Sequence, residues 1–287
     1  MKRLIVFTDL DGTLLDHDSY SFKAAAPALK ELKARKIPLV LCSSKTKAEM
    51  LPLTKKLGLN HPFVVENGGA VYIPRNYFPF ALPTARVRTG FQVLELGERY
   101  QKLIRSLADA AQTSGVKAKG FSSMTEREVA KLCGLDAASA RLARRREYDE
   151  PFVLDEADAN QKRRFFSWIQ QRGLRWRQGG RFLHLMGNND KGLAASRMIE
   201  LYRQLYGTIQ TVGLGDSAND VDFLGVVDVA VLVARPDGLH DTEVVSRVPR
   251  LRRQKGIGPE GWNAALLEIL EELTAEESET ADSTSVR

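Results

Sequence analysis

Short apolar runs alternate with amphipathic stretches through the first 80 residues of the chain. Residues 4–8, 37–42 and 63–65 are apolar runs of strand length, which are typical of strands buried in a parallel sheet. Residues 24–36 and 46–57 predict helices, and the second is opened by the capping box of Thr46 and Glu49 and ended by Gly58. A turn at residues 67–69 leads into a strand at 70–73, which predicts a hairpin.

The pattern changes after three prolines, Pro74, Pro79 and Pro83, and we place a domain boundary near residue 80. Beyond it we predict strands at residues 87–96, 152–154 and 182–186, and helices at 98–113, 125–132 and 158–172. This mixture predicts an α+β domain over residues 81–188, inserted into the first domain.

The alternation of apolar runs and amphipathic stretches resumes at Lys191. Residues 192–206 and 262–273 predict helices, and 208–214 and 228–233 predict strands. Several helix-linked apolar strands predict an α/β fold, with a Rossmann-like doubly wound parallel sheet formed by residues 1–80 and 189–273. Residues 274–287 are acidic and rich in Ser and Thr, with little to bury, so we expect a disordered tail.

Composition narrows the class of protein. The 287 residues are 43% hydrophobic and 27% charged, and the two cysteines are too few for a disulfide framework. Without an apolar run of membrane length, we expect a cytoplasmic protein with no membrane partner. The net charge of +6 is uneven, because residues 81–188 carry +8 and the remainder −2. That excess fits solvated helix faces, a basic lid that attracts an anionic substrate, or a surface that binds nucleic acid. We predict no nucleic-acid partner, because no recognised nucleic-acid module accompanies the charge.

Asp9 and Asp11 follow the first predicted strand at i and i+2, before Gly12 and Thr13. Strand side chains alternate, so both carboxylates start on one side of the strand. Ligands bind at the carboxyl edge of open parallel sheets. Two like charges held close together are costly unless a cation or a shared proton relieves them. A divalent metal ion with a phosphate group would supply that relief.

A second acidic group supports this interpretation. Asp216, Asn219 and Asp220 also follow an apolar strand and precede a helix, which predicts that Asp216 shares the edge of Asp9. Helix capping explains Asp216 or Asp220 separately, but it does not explain why both strands end in acids.

Two further residues have alternative interpretations. Ser43 follows the strand at 37–42, and its hydroxyl could donate to a phosphate oxygen or take part in helix capping before Thr46. Lys191 lies at a junction between a loop and a helix. It could neutralise a phosphate and an aspartate nucleophile, or be an ordinary solvated lysine.

These four elements, in this order, resemble the four motifs of the haloacid dehalogenase superfamily of phosphatases. The large insert resembles the cap of its type IIB branch. Local matches resemble the mannosyl-3-phosphoglycerate phosphatase family; they are the segments 7–11, 43–46, 66–69, 146–152 and 179–184.

The resemblance implies roles for the catalytic residues. Asp9 would be the nucleophile that forms an aspartyl-phosphate, and Asp11 the general acid and base. Ser43 and Lys191 would hold phosphoryl oxygens. Mg2+ would be bound by Asp9, Asp216 and the backbone carbonyl of Asp11, with Asn219 and Asp220 supporting these ligands.

The resemblance also implies mannosyl-3-phosphoglycerate as the substrate. The alternatives are another sugar phosphatase, for glucosyl-3-phosphoglycerate or sucrose phosphate, a phosphomannomutase, or a non-catalytic phosphosugar sensor. We expect Arg146 to bind the substrate carboxylate, or to pair with Glu150 on a solvated face, and we expect Asp149 and Glu150 to accept sugar hydroxyl protons in one pocket. His184 fits a structural or a substrate-binding role. The candidate substrate-binding residues are Ser44, Glu66, Asn67, Gly68, Arg146, Asp149, Glu150 and His184. The sequence does not fix the oligomeric state.

Overall fold

The computed structural model describes residues 2–179 and 181–285, with the backbone alone for residues 276–285. Its strands, in chain order, are β1 (Arg3–Thr8), β2 (Leu39–Cys42), β3 (Phe63–Val65), β4 (Ala70–Pro74), β5 (Arg86–Arg88), β6 (Phe91–Glu95), β7 (Ala118–Gly120), β8 (Asp149–Leu154), β9 (Arg175–Gly179), β10 (Phe182–Met186), β11 (Ile209–Gly215), β12 (Val229–Ala234) and β13 (Arg252–Ile257).

The helices, in chain order, are α1 (Ala26–Ala34), α2 (Lys47–Leu57), α3 (Tyr100–Ser114), α4 (Glu126–Cys133), α5 (Ala137–Ala143), α6 (Ala159–Gln171), α7 (Lys191–Tyr206), α8 (Val221–Leu224), α9 (Thr242–Arg247) and α10 (Gly258–Ser285). Short 3-10 turns occur at Lys23–Ala25, Glu66–Gly68 and Ala218–Asp220. The predicted capping box of Thr46 and Glu49 is confirmed at the start of α2, and Gly58 ends that helix in the left-handed conformation.

The chain divides into two compact units. Unit 1 consists of Met1–Cys42 and Ala195–Arg287, and unit 2 of Ser43–Ala194. The predicted limits of the insert, residues 81 and 188, both fall inside unit 2. The division into a core and a cap at those residues therefore stays a prediction.

Unit 1 is built on parallel strands in the order β13-β12-β11-β1-β2. The apolar runs predicted as strands form its centre, where β1, β2 and β11 are almost completely buried. Their carboxyl ends meet at one edge, since parallel strands run the same way. The predicted α/β class is confirmed.

Unit 2 combines helices with antiparallel strands. The predicted hairpin is confirmed, because β3 pairs with β4 in antiparallel register, and β6 and β5 continue the antiparallel pairing. Within the described residues a separate sheet, which we call the small sheet, has the order β7-β8-β10-β9 with antiparallel pairs. Helices α3 and α6 cover one of its faces, where their apolar side chains pack with Phe152 and Leu185.

Several elements differ from the sequence prediction. The strand predicted at 87–96 is split into β5 and β6 by a turn at Gly90, whose φ is +78°. Strand β8 begins at Asp149 rather than Phe152. The elements β7, α5, β9, α9 and β13 are absent from the prediction, since each is short or largely polar.

The C-terminal helix also differs. Helix α10 continues to Ser285. The sequence predicts that this helix ends at residue 273 and that residues 274–287 are disordered. Residues 274–285 contain no Gly or Pro to break a helix. The last two residues of the predicted tail lie outside the described part of the chain. Among the described helices, none combines the length and apolarity that crossing a membrane requires.

Candidate active site

Unit 1 brings three of the predicted acidic residues together at the carboxyl edge of its sheet. Asp9 follows β1, Asp216 follows β11, and Asp220 closes the 3-10 turn after Asp216. All three are buried, and one carboxylate oxygen of each lies within 4.8 Å of the others. The strand ends therefore meet as the sequence predicts.

Hydroxyl and amide donors hold this acidic cluster of Asp9, Asp216 and Asp220. The Thr13 hydroxyl donates to Asp216 Oδ1 at 3.1 Å and lies 3.5 Å from Asp9 Oδ2. Asp220 Oδ2 accepts the backbone N–H groups of Asp216 and Ser217 at 3.0 and 3.2 Å. Buried carboxylates need such donors, because they lose hydration on folding.

The turn after β1 leaves no room for a larger residue. Gly12 has φ +80°, and a Cβ built on it would lie 2.8 Å from Asp216 Oδ2. Only glycine adopts that conformation without strain while letting the carboxylate approach. The geometry of this turn therefore explains why residue 12 is glycine.

Two residues of unit 1, Thr8 and Ser217, escaped the sequence analysis. The Trp262 indole donates to Thr8 Oγ1 at 2.9 Å, and that hydroxyl donates to the Asp9 carbonyl at 2.7 Å. Ser217 Oγ lies 2.8 Å from Asn219 Oδ1 and 3.3 Å from Asp216 Oδ1. Thr8 and Ser217 adjoin the acidic motifs, which is the one signal that could have identified them.

The acidic cluster fits a divalent cation. Three buried carboxylates placed this close repel one another, and a hard cation with oxygen ligands relieves that repulsion. Asp220 belongs to the cluster, whereas the sequence predicts it only as support for the ligands. Asp11 is half-buried in the turn after β1, and its predicted contribution is a backbone carbonyl rather than its carboxylate.

Unit 2 gathers the remaining candidates other than Glu150 around the turn Glu66–Gly68. Ser43 is buried directly after β2, and its backbone carbonyl accepts the N–H of Asn67 at 3.0 Å. A Cβ on Gly68, whose φ is +86°, would lie 2.0 Å from the Asp190 carbonyl oxygen. The turn therefore packs directly against the start of α7, where Lys191 lies.

The structure excludes a solvated lysine at position 191 and a helix-capping role for Ser43. Lys191 is only 1% exposed, so it is not an ordinary solvated lysine. Thr46 is the N-cap of α2, and the Ser43 hydroxyl instead accepts the N–H of Lys45 at 3.1 Å. Ser43 therefore does not cap the helix.

Glu66 is a fully buried acceptor. Its carboxylate accepts the successive backbone N–H groups of Glu147, Tyr148 and Asp149 at 2.8–2.9 Å, and it lies 3.6 Å from Arg146 Nε. Burial raises the pKa of Glu66 to about 7, although the charge of Arg146 and the amide donors act in the opposite direction. Its contacts are therefore with the loop before β8.

Arg146, Asp149 and His184 form a buried polar network with Asn67. Asp149 Oδ2 accepts from Arg146 Nη2 at 2.8 Å, from Asn67 Nδ2 at 3.1 Å, and lies 2.7 Å from His184 Nδ1. Arg146 also donates to the carbonyl oxygens of Asp149 and Ser44. Burial alone would raise the pKa of Asp149, but His184 and Arg146 outweigh it and hold that pKa below its ordinary value.

The network contradicts two expectations about this segment. Arg146 is buried and pairs with Asp149, so the alternative of a solvated pair with Glu150 is wrong. Asp149 and Glu150 do not share a pocket either, because successive residues of β8 point to opposite faces. Glu150 accepts from Ser122 and from the Tyr100 hydroxyl. Burial raises the pKa of Glu150, against these donors.

Comparisons with known proteins agree with this geometry. A family model of haloacid dehalogenase-like hydrolases matches residues 6–237. A glucosyl-3-phosphoglycerate/mannosyl-3-phosphoglycerate phosphatase of Methanococcoides burtonii is 43% identical over 266 residues, covering 93% of this chain and 97% of the relative. A mannosyl-3-phosphoglycerate phosphatase of Pyrococcus furiosus is 36% identical over 229 residues, covering 80% of this chain and 90% of the relative.

Solved structures share the fold. A sugar phosphatase of subclass IIB of the superfamily has a TM-score of 0.59 at 14% identity, covering 88% of this chain and 94% of that structure. The family match spans both the acidic strand ends and the small sheet. The prediction from the sequence motifs is thus confirmed, and the chain belongs to the haloacid dehalogenase-like hydrolases.

Proposed function

We propose that this chain is a metal-dependent phosphatase that hydrolyses a hexosyl-3-phosphoglycerate, with glucose or mannose as the hexose, to the hexosylglycerate and phosphate. The observation that carries the proposal is the 43% identity, over nearly the whole chain, to a phosphatase named for both esters. The buried cluster of Asp9, Asp216 and Asp220 supports it, because a divalent cation held by these carboxylates would neutralise phosphate charge.

Asp9 and Asp11 carry the proposed covalent chemistry. A carboxylate oxygen of Asp9 attacks the phosphorus, the bond from phosphorus to the ester oxygen breaks, and Asp11 protonates the leaving alkoxide. A water molecule then gives a proton to Asp11 and attacks the phosphorus of the aspartyl-phosphate, and the bond from phosphorus to the Asp9 oxygen breaks. Phosphate leaves, and both acids return to their starting states.

The reaction also requires that the negative charge of the phosphoryl group be neutralised. Ser43 and Lys191 are proposed to hold phosphoryl oxygens, and the burial of both residues makes each interaction stronger than it would be in water. A bound Mg2+, with Asp9, Asp216 and the Asp11 carbonyl as proposed ligands, would neutralise phosphate charge. Asp220 supports this set through its bonds to the Asp216 and Ser217 amides.

A panel of phosphate esters tests the proposal against its rivals. We expect turnover of glucosyl- and mannosyl-3-phosphoglycerate to exceed that of sucrose phosphate and simple hexose phosphates by at least about 10-fold in kcat/KM. Preferred hydrolysis of sucrose phosphate would favour that alternative, and interconversion of mannose phosphates would favour a mutase. Binding of the esters without phosphate release would make the chain a sensor.

A further inference from the structure

His184 is the outermost member of the network of Asn67, Arg146, Asp149 and His184. The side chain of Asp149 is 0% exposed, and that of His184 is 13% exposed. A ligand can therefore reach the imidazole, while Asp149 acts on a ligand only through the imidazole.

The carboxylate fixes which ring nitrogen is left for a ligand. Asp149 Oδ2 accepts from Arg146 and Asn67 and lies 2.7 Å from His184 Nδ1. An ionised carboxylate is an acceptor only, so Nδ1 must carry a hydrogen. Nε2 is then the remaining polar atom of the ring, and in the protonated imidazole it is a second charged donor that suits an anion.

The neighbouring strand leaves space for the ring. A Cβ built on Gly179 would lie 2.9 Å from both Nε2 and Cδ2 of His184. The φ of Gly179 is outside the left-handed region, so the backbone does not demand glycine there. The absence of a side chain at Gly179 is explained by the room that the imidazole needs.

The sheet face and its neighbours point to an anionic ligand. His184 projects from the face of the small sheet opposite the core of Phe152 and Leu185, because strand side chains alternate. Arg177 lies directly across from His184 in β9 and adds positive charge on the same face.

The same network leads to the residues proposed to hold phosphate. Asn67, which donates to Asp149, also donates its backbone N–H to Ser43. Gly68, the next residue, packs against the backbone of Asp190 and Lys191. His184 is therefore connected to Ser43 through Asp149 and then Asn67. An anion-binding residue connected to the proposed phosphate-binding residues suits a 3-phosphoglycerate ester, which carries a carboxylate two carbons from its phosphate-bearing carbon.

We infer that His184 Nε2 binds the glycerate carboxylate of the substrate, in place of Arg146, which donates to Asp149 and to the Ser44 carbonyl. In this inference Asp149 is the positioning residue for the imidazole, and Gly179 keeps its space open. The inference rests on the proposed function and names the residue that distinguishes this substrate class from plain phosphate esters.

Three variants separate this role from folding. We would measure kcat and KM for His184→Gln, Gly179→Ala and Asp149→Asn on hexosyl-3-phosphoglycerate, on its primary carboxamide and on p-nitrophenyl phosphate. Loss of one charged hydrogen bond predicts a KM about 10- to 100-fold higher for the carboxylate ester in each variant. For Gly179→Ala, which removes no polar group, values for the carboxamide and the aryl phosphate should stay within about twofold, since neither carries the carboxylate. For His184→Gln and Asp149→Asn, the loss on the carboxylate ester should exceed the losses on these two substrates by about 10-fold.

The matched control is His61→Gln. His61 is also a partly buried histidine of unit 2, and its Nδ1 lies 2.8 Å from the Tyr77 hydroxyl. Its variant should match wild type on every substrate. Gly179→Ala removes no polar group, so it still tests the inference if Asp149→Asn fails to fold. Equal losses on all three substrates, or unchanged kinetics, would overturn the inference alone. A wild-type enzyme that hydrolyses the aryl phosphate but not the hexosyl ester would overturn the proposed function as well.

Discussion

Replacement of Glu66 by Gln tests the electrostatics of unit 2. The wild-type carboxyl group is fully buried and accepts three successive backbone N–H groups from the loop before β8. Burial raises its pKa from 4.5 to about 7. The glutamine variant keeps the shape and one acceptor oxygen, but it cannot ionise.

The sign and size of the effect follow from linkage. A carboxyl group whose pKa is higher in the folded state binds its proton more tightly there, so its contribution to stability is complete below pH 4.5 and is lost as the pH rises through about 7. At about 1.4 kcal/mol per pKa unit, the difference is about 3 kcal/mol. The unfolding free energy of wild type, relative to Glu66→Gln, should therefore fall by about 3 kcal/mol between pH 4.5 and pH 8.

Urea unfolding at several pH values measures this difference. Trp168 and Trp176 both lie in unit 2 and contribute to the fluorescence signal. Glu156→Gln, on an exposed position of the same unit, should run parallel to wild type. If wild type instead gained stability over Glu66→Gln as the pH rose, the amide donors and Arg146 would outweigh burial, and the reasoning about Glu66 would be refuted.

Two further predictions concern the acidic cluster of unit 1. Asp216→Ala should require at least about 10-fold more Mg2+ for half-maximal phosphate release, because a carboxylate ligand is lost. Asp237→Ala, at an exposed position, should require the same Mg2+ concentration as wild type. If Asp216→Ala also required the wild-type concentration, Asp216 would not be a metal ligand. Gly12→Ala should lower stability by about 1–2 kcal/mol in thermal or urea unfolding, because an L residue is strained at φ +80°, and turnover should drop because the new Cβ displaces the Asp216 carboxylate. Full turnover in Gly12→Ala would show that the position of that carboxylate is not critical.

The parts of the fold predicted best are those where local pattern and burial agree. The apolar strands of unit 1 were predicted to within a residue or two, because a buried parallel strand reads as a continuous apolar run. Strands β9 and β13 were missed, since Arg175–Gly179 and Arg252–Ile257 are mostly polar and lie at sheet edges. An edge strand buries less apolar surface than a central strand, so its sequence shows less of the apolar run that predicts a strand.

The acidic cluster could be predicted because strand ends and carboxylates are both visible in sequence. The network around Arg146 could not, since its geometry depends on where a strand begins. The expectation of a pair between Arg146 and Glu150 assumed helical spacing, but β8 starts at Asp149 and sends Glu150 to the opposite face. The role of Gly179 depends on its distance from the His184 ring across a hairpin, which a sequence pattern does not contain.

The central claim, that Asp9 is the phosphorylated residue of a hexosyl-3-phosphoglycerate phosphatase, is tested most directly by trapping the intermediate. Excess enzyme with Mg2+ and the ester would be quenched in acid within a turnover, and the peptides would be analysed by mass spectrometry alongside Asp9→Asn, checked for deamidation. The account predicts a phosphoryl adduct confined to the peptide that contains Asp9, with neither adduct nor phosphate release above background in the variant. Phosphate release by Asp9→Asn at the wild-type rate, or an adduct on a different residue, would contradict it.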